Sequence, residues 1–158
     1  MNLSKQLANR FREVMLDGTW VANTNYKSQL EDLTWQQATT QVNSYNTIAL
    51  LTFHINYYVK GVLQVFQGGS LDISDTYSFN APEITSQEDW EALKSDLFSN
   101  SESLAKKFEQ LTNEQLSLPF VKEAYGTYLR NIEGMIEHCY YHLGQVSLIR
   151  KTVLESNN

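Results

Sequence analysis

With a single cysteine, Cys139, among 158 residues, the chain has no means of forming an internal disulfide and must be held together by packing. Proline is almost as scarce: Pro82 and Pro119 are the only two, and each falls in a stretch that reads as a loop. No uncharged apolar run reaches the roughly 18 residues that a bilayer span requires. Residues 1–10 are polar and amphipathic, without the apolar centre of a secretory signal. Basic residues are in deficit, 12 Lys and Arg against 18 Asp and Glu for a net charge of −6, and the densest basic clusters are the pairs Lys106-Lys107 and Arg150-Lys151. Phosphate binding needs clustered cations to release counterions, so a general nucleic-acid surface is excluded. Together these absences predict a cytoplasmic protein with neither nucleic acid nor membrane as partner.

What is present is helical patterning. The length suits one domain, residues 1–158, large enough to bury a core without staples. Leu3, Leu7, Phe11, Val14 and Met15 share one face and predict a first helix over residues 3–16, closed by Asp17-Gly18 with glycine in the left-handed conformation. Residues 19–43 predict one or two short helical turns: Thr34-x-x-Gln37 has the form of a capping box, and Trp20 and Trp35 read as core or lid aromatics rather than substrate anchors. A second long helix is expected over residues 44–67, ended by Gly68-Gly69. The polar stretch 70–85 reads as a long crossover loop, of the kind that can form a pocket wall. Ser86-x-x-Asp89 reads as the start of a third helix, carried by Trp90, Leu93, Leu97, Leu104, Phe108 and Leu111, with Asn100 and its neighbouring serines marking a bend. Residues 112–120 form a second loop, and a last helix is expected from a start between 121 and 127 to an end near Glu155. No run alternates convincingly as a strand. The predicted fold class is all-α, a four-helix bundle with short extra helices in its first connection.

The last helix carries two of the three histidines. At about 100° per residue, His138 and His142 stand one above the other on the same face, a spacing that can hold one metal ion. Gln145, Asn131 and Gly134 lie on that stripe, while Tyr128, Ile132, Ile136, Cys139, Leu143, Val146 and Val153 form an apolar stripe opposite, which predicts a buried, unreactive Cys139. The third histidine, His54, sits in the apolar second helix with Tyr58 one turn on. By itself His54 reads as a satisfied core histidine, and one i,i+4 pair arises by chance in roughly a few per cent of such chains. Taken together, His54, His138 and His142 suit a three-imidazole site for zinc, nickel, iron or copper that leaves positions open for water or substrate. Such a metal lowers the pKa of a bound water or thiol and polarises an electrophile. Gln145, Tyr58 and Asn131 are the candidates to support the ligands by hydrogen bonding, whereas Glu133 and Glu137 point largely off the stripe and read as solvated.

The pattern His138-x-x-x-His142-x-Gly144-Gln145, followed by an apolar pair and Arg150, resembles the last helix of the DinB/YfiT-like superfamily of metal-dependent enzymes. Gly18-Thr19-Trp20, Leu30-x-x-Leu33-Thr34 with Gln36-Gln37-Ala38, and Gly68-Gly69 are similar to that family's pattern as well. The resemblance implies an up-down-down-up helix order, a third ligand from the second long helix matched here to His54, a divalent transition metal and a homodimer. For function it implies hydrolases, or transferases that attach a low-molecular-weight thiol to an electrophilic small molecule. A second class remains open at this point: a non-catalytic dimeric helical bundle, acting in interaction or stress, whose histidines form a vestigial or structural site. Exposed apolar positions on the first or third helix would mark its interface.

Overall fold

Helix starts coincide with side-chain oxygens that can accept from the unpaired first-turn amides. Asn2, Asn25, Thr34, Thr47, Ser86 and Thr112 each do so, and each such cap contributes about 1 kcal/mol. A computed structural model describes residues 2–156. Among the described residues there are seven α-helices and no strand: α1 (Leu3–Arg12), α2 (Tyr26–Leu30), α3 (Trp35–Thr39), α4 (Ile48–Phe66), α5 (Gln87–Glu109), α6 (Asn113–Leu116) and α7 (Tyr128–Ser156). The capping box read at Thr34 and Gln37 is formed, and Ser86 accepts from Asp89 as its position suggests. None of these helices is long and apolar enough to cross a membrane.

Several expectations are corrected. The first helix leaves α geometry after Arg12 and continues as one π-helical segment, Glu13–Asp17. Gly18 then closes it in extended conformation (φ −97°) rather than left-handed; glycine is needed there because a Cβ would lie 2.1 Å from Glu13 Cγ. Trp20 is 87 % exposed and belongs to no core, whereas Trp35 packs against the core from its edge. The second long helix starts at Ile48 and not near residue 44, because Thr47 is its cap. α5 runs unbroken through Asn100, whose amide reaches across to Asn56. The loop at 112–120 contains α6, initiated by a Thr112–Gln115 capping box. The last helix begins at Tyr128, just past the expected window, since Val121 and Gly126 take positive φ and residues Glu123–Tyr125 make a separate 3-10 turn.

Apolar stripes gather the four longer helices around one core. Phe11 of α1 meets Phe108 of α5 edge-to-face at 5.4 Å, and Trp90, fully buried, donates its indole N–H to the Leu33 carbonyl. Burial of an aromatic of that size stabilises by about 2–3 kcal/mol. Contacts between helices define their directions. Ser4 reaches Leu111 and Arg12 reaches Glu102, so α1 and α5 run antiparallel. Asn56 pairs with Asn100 and Phe66 with Phe108, so α4 and α5 run parallel. His54 meets His138 and Phe66 meets Tyr128, so α4 and α7 run antiparallel.

Parallel neighbours joined directly in sequence need a connection that travels back the length of a helix. For α4, with 19 residues at 1.5 Å rise, that is roughly 28 Å. Residues 67–86 make this journey along α4 itself. In order, Asp72 accepts from Gln64, Ile73 lies where a Cβ on Gly61 would come within 2.2 Å, Ser74 bonds the Tyr57 hydroxyl, and Asp75 accepts from Tyr58. Ser78 and Phe79 then arrive over His54. The long loop is therefore a strap, and its path follows from helix direction.

Candidate metal centre

Helix period places His138 and His142 on one face of α7, and the antiparallel packing of α4 brings His54 against them. One ligand nitrogen from each of the three lies within 4.8 Å of the others. His54 Nε2 and His138 Nε2 are 3.2 Å apart. Two nitrogens bound to one tetrahedral zinc at 2.0–2.1 Å would be separated by roughly 3.3 Å, so this pair is already spaced for an ion between them. The rings stand edge-to-face in a tight triangle, with centroids 5.2 Å (His54–His138), 4.6 Å (His54–His142) and 4.6 Å (His138–His142) apart.

Tautomers are set from outside the triangle. His142 Nδ1–H donates to Gln145 Oε1 at 2.7 Å, and His54 Nδ1–H donates to the Ser78 carbonyl at 3.3 Å. A carbonyl oxygen can only accept, so both protons sit on Nδ1 and both Nε2 lone pairs turn inward. The donor set thus fits a borderline transition metal, by its three neutral imidazoles and by the outer acceptors that orient two of them.

Burial favours the neutral form. It pushes all three histidines below their usual range, His138 furthest, to about 4, where the neighbouring His142 and His54 add to burial and Asp75 opposes. Neutral imidazoles at neutral pH are what a metal requires. His54 and His142 are buried and His138 is half-buried, so the triangle has one partly open side.

The strap and α4 complete the surroundings. Phe79 stacks on His54 with centroids 4.1 Å apart and planes at 12°. Tyr58 stands edge-on to His54 (5.1 Å) and His138 (5.0 Å), and its hydroxyl donates to Asp75 Oδ1 at 2.5 Å. Burial and that bond push the Tyr58 phenol up to about 12, so it remains a donor. A pocket of about 370 Å³ opens beside Gln145, between residues 44–46 and the outer turns of α7.

Of the expected supporting residues, Gln145 bonds a candidate ligand directly and Tyr58 packs on two of them. Asn131 does not reach the site: its amide donates to the Tyr125 and Thr127 carbonyls at 2.8 Å, because the helix's first turn lies there. Glu137 is exposed and pairs with Arg130. Cys139 is buried and free on the opposite stripe, and burial pushes its thiol up, away from reactivity. Gly144 has open space where a Cβ would stand, so packing within the chain does not demand glycine there. Arg150 Nε is buried without a partner among the described residues.

Periodicity missed Asp75, Ser78 and Phe79, which arrive on an irregular segment. The available signal was a pair of aromatics in a polar loop, Tyr77 and Phe79, of which Phe79 stacks on His54 and Tyr77 stays exposed. No family model, curated protein or solved structure matches the chain.

Proposed function

We propose that the protein is a metal-dependent enzyme of the DinB/YfiT-like kind, activating water or a low-molecular-weight thiol for attack on an electrophilic small molecule. The observation that carries this reading is the convergence of His54, His138 and His142, with two Nε2 atoms 3.2 Å apart. Support also comes from helix direction: α1 and α7 on one sense, α4 and α5 on the other, agree with an up-down-down-up four-helix bundle.

A divalent transition metal, zinc, nickel or iron, supplies when bound a Lewis acid that makes water or a thiol nucleophilic at neutral pH. The chain's own residues hold and orient. His54, His138 and His142 donate three neutral nitrogens, fewer than the four of a closed structural site. Gln145 and the Ser78 carbonyl keep His142 and His54 in the ligating tautomer. Phe79 and the Tyr58 ring cover His54 and exclude water from that side, and the Tyr58 hydroxyl holds Asp75 near the triangle.

The decisive measurement is elemental analysis of untagged protein. About one transition metal per chain is expected, lost in His54→Ala and His138→Ala. Metal-free protein, with the same content in both variants, refutes the reading. Metal-loaded protein inert toward a panel of electrophiles with and without thiol would favour the non-catalytic role instead. Apolar exposure bears on that role: among the described residues of the longer helices, large exposed apolar side chains are Leu3 on α1 and Tyr141 and Leu148 on α7, with none on α5.

A further inference from the structure

A cleft of about 870 Å³ lies apart from the histidines, on the other flank of the strap, between α4, α5 and residues 72–84. It runs beside the polar seam along which α4 and α5 pack, with the strap as its further wall. At that seam the buried Asn56 donates to Asp96 Oδ2 at 2.8 Å and accepts from Asn100, and Lys60 pairs with Asp96 at 3.2 Å. The floor is apolar, formed by Ala49, Leu50, Phe53, Ile84 and Leu93. The volume falls in the range of pockets that enclose small organic ligands, roughly 300–1,000 Å³, and an apolar floor with a few placed polar groups is their usual lining.

Charge selects the ligand. The charged lining consists of Lys60 against Asp72, Glu83, Asp89 and Asp96, a net negative wall in which the one cation is already paired. Asp72 accepts from Gln64 and Ser70, and Asp89 from Thr85, so these carboxylates are held in place rather than free to swing away. Phe53 and Tyr57, with ring centroids 6.3 Å apart and planes tilted by 31°, add aromatic surface to the same wall. Carboxylates and aromatic faces together attract ammonium groups, and the apolar floor takes a hydrocarbon body. An organic anion would meet repulsion from four of the five charged residues in the lining.

We propose that this cleft binds an amphipathic organic cation, a substituted ammonium carrying an alkyl or aryl body, at a site separate from the histidine triangle. The ammonium lies toward Asp96 and the Phe53–Tyr57 rings, and the tail runs over Leu50 and Leu93 beneath the strap.

The test is calorimetric titration of the full chain with decyltrimethylammonium and with decyl sulfate, both below micelle-forming concentrations. The two probes share a tail and differ in the sign of the head. Decyltrimethylammonium is expected to bind once per chain, at least about tenfold tighter than decyl sulfate. Lys60→Gln releases Asp96 and should tighten the cation by about threefold, whereas Lys151→Gln, remote on α7, should leave it within about twofold. Ala92→Trp, on an exposed α5 position lining the cleft, should weaken it by about tenfold or more without disturbing the fold. His138→Ala should leave it unchanged, so the result is independent of the metal reading. Equal or tighter binding of decyl sulfate, no binding of the cation, or indifference to Ala92→Trp each overturns the proposal. So does a concentration-dependent dimer in sedimentation that Ala92→Trp dissolves, since a second copy of the chain would then be the occupant.

Discussion

On the seam between α1 and α5, Arg12 grips Glu102 at 2.9 Å and Glu109 at 2.6 Å; on the opposite seam, between α4 and α7, His54, His138 and His142 turn their nitrogens toward one another. Both clusters join segments far apart in sequence, and both are partly withdrawn from water. The first is electrically complete. The two carboxylates raise the guanidinium's pKa, and the guanidinium holds both carboxyls below their usual range. The second gathers three bases, and burial depresses all of them. A cluster that satisfies itself stabilises a fold, whereas one that collects lone pairs of a single kind keeps the capacity to bind something from outside.

The largest expected effect that sharpens this contrast comes from metal. At a free concentration about a thousandfold above Kd, metal should stabilise the wild type by about 4 kcal/mol and raise Tm by roughly 8–16 °C. The shift should vanish in His54→Ala and persist in Arg12→Gln. A Tm insensitive to chelation and reloading in the wild type would erase the distinction between the two seams.

Next comes the acid profile of the metal-free protein, read as the urea midpoint against pH. For the histidines the folded values are depressed, so their contribution is intact above the ordinary value of 6.5 and is lost as pH falls from there toward about 4 for His138. For Glu102 and Glu109 the folded values are also depressed, so their contribution is intact above 4.5 and disappears as pH falls below it. Two descending arms are therefore expected. His138→Ala should shrink the upper arm, leaving the part carried by His54 and His142, and Arg12→Gln should reduce the lower; a single arm unaffected by either substitution would contradict the assignment.

Smaller again is the effect of Gln145→Ala, which frees His142 Nδ1 from its acceptor. Metal affinity should fall about 10–100-fold in a chelator competition while Tm of the metal-free protein stays near the wild-type value. Wild-type affinity in that variant would show that Gln145 does not orient the ring. Arg12→Gln has the smallest expected effect. Its pairs are about a third exposed on the acidic side, so the loss should be about 1 kcal/mol, some 2–4 °C in Tm, and should shrink in high salt.

Much of the architecture was readable where local rules act. Ser86 and Thr34 announced their helices because a cap needs only a side-chain oxygen and an amide two or three residues on. Gly68, at φ +90°, ended α4 as a C-terminal glycine does. The burial of Cys139 followed from its place on an apolar stripe. Where reading failed, backbone geometry and partners a few residues away overrode the side-chain pattern: Gly18 runs extended beside Glu13, Asn131 turns back to the Tyr125 and Thr127 carbonyls, and Trp20 is left exposed. The capping box of α6 lay in plain view as Thr112-x-x-Gln115, and the nearby proline obscured it.

Sequence alone determined the rods and the stacking of His138 over His142, because caps and a 3.6-residue period act through neighbours along the chain. It also determined the deficit of cations and the absence of any disulfide. Only tertiary packing decided that His54 reaches that pair, since 84 residues separate it from His138 and no local rule spans such a distance. The same packing made α4 and α5 parallel, and that direction forced the strap back along α4. Thus Asp75, Ser78 and Phe79 came to the histidines, and a cleft opened on the strap's other side.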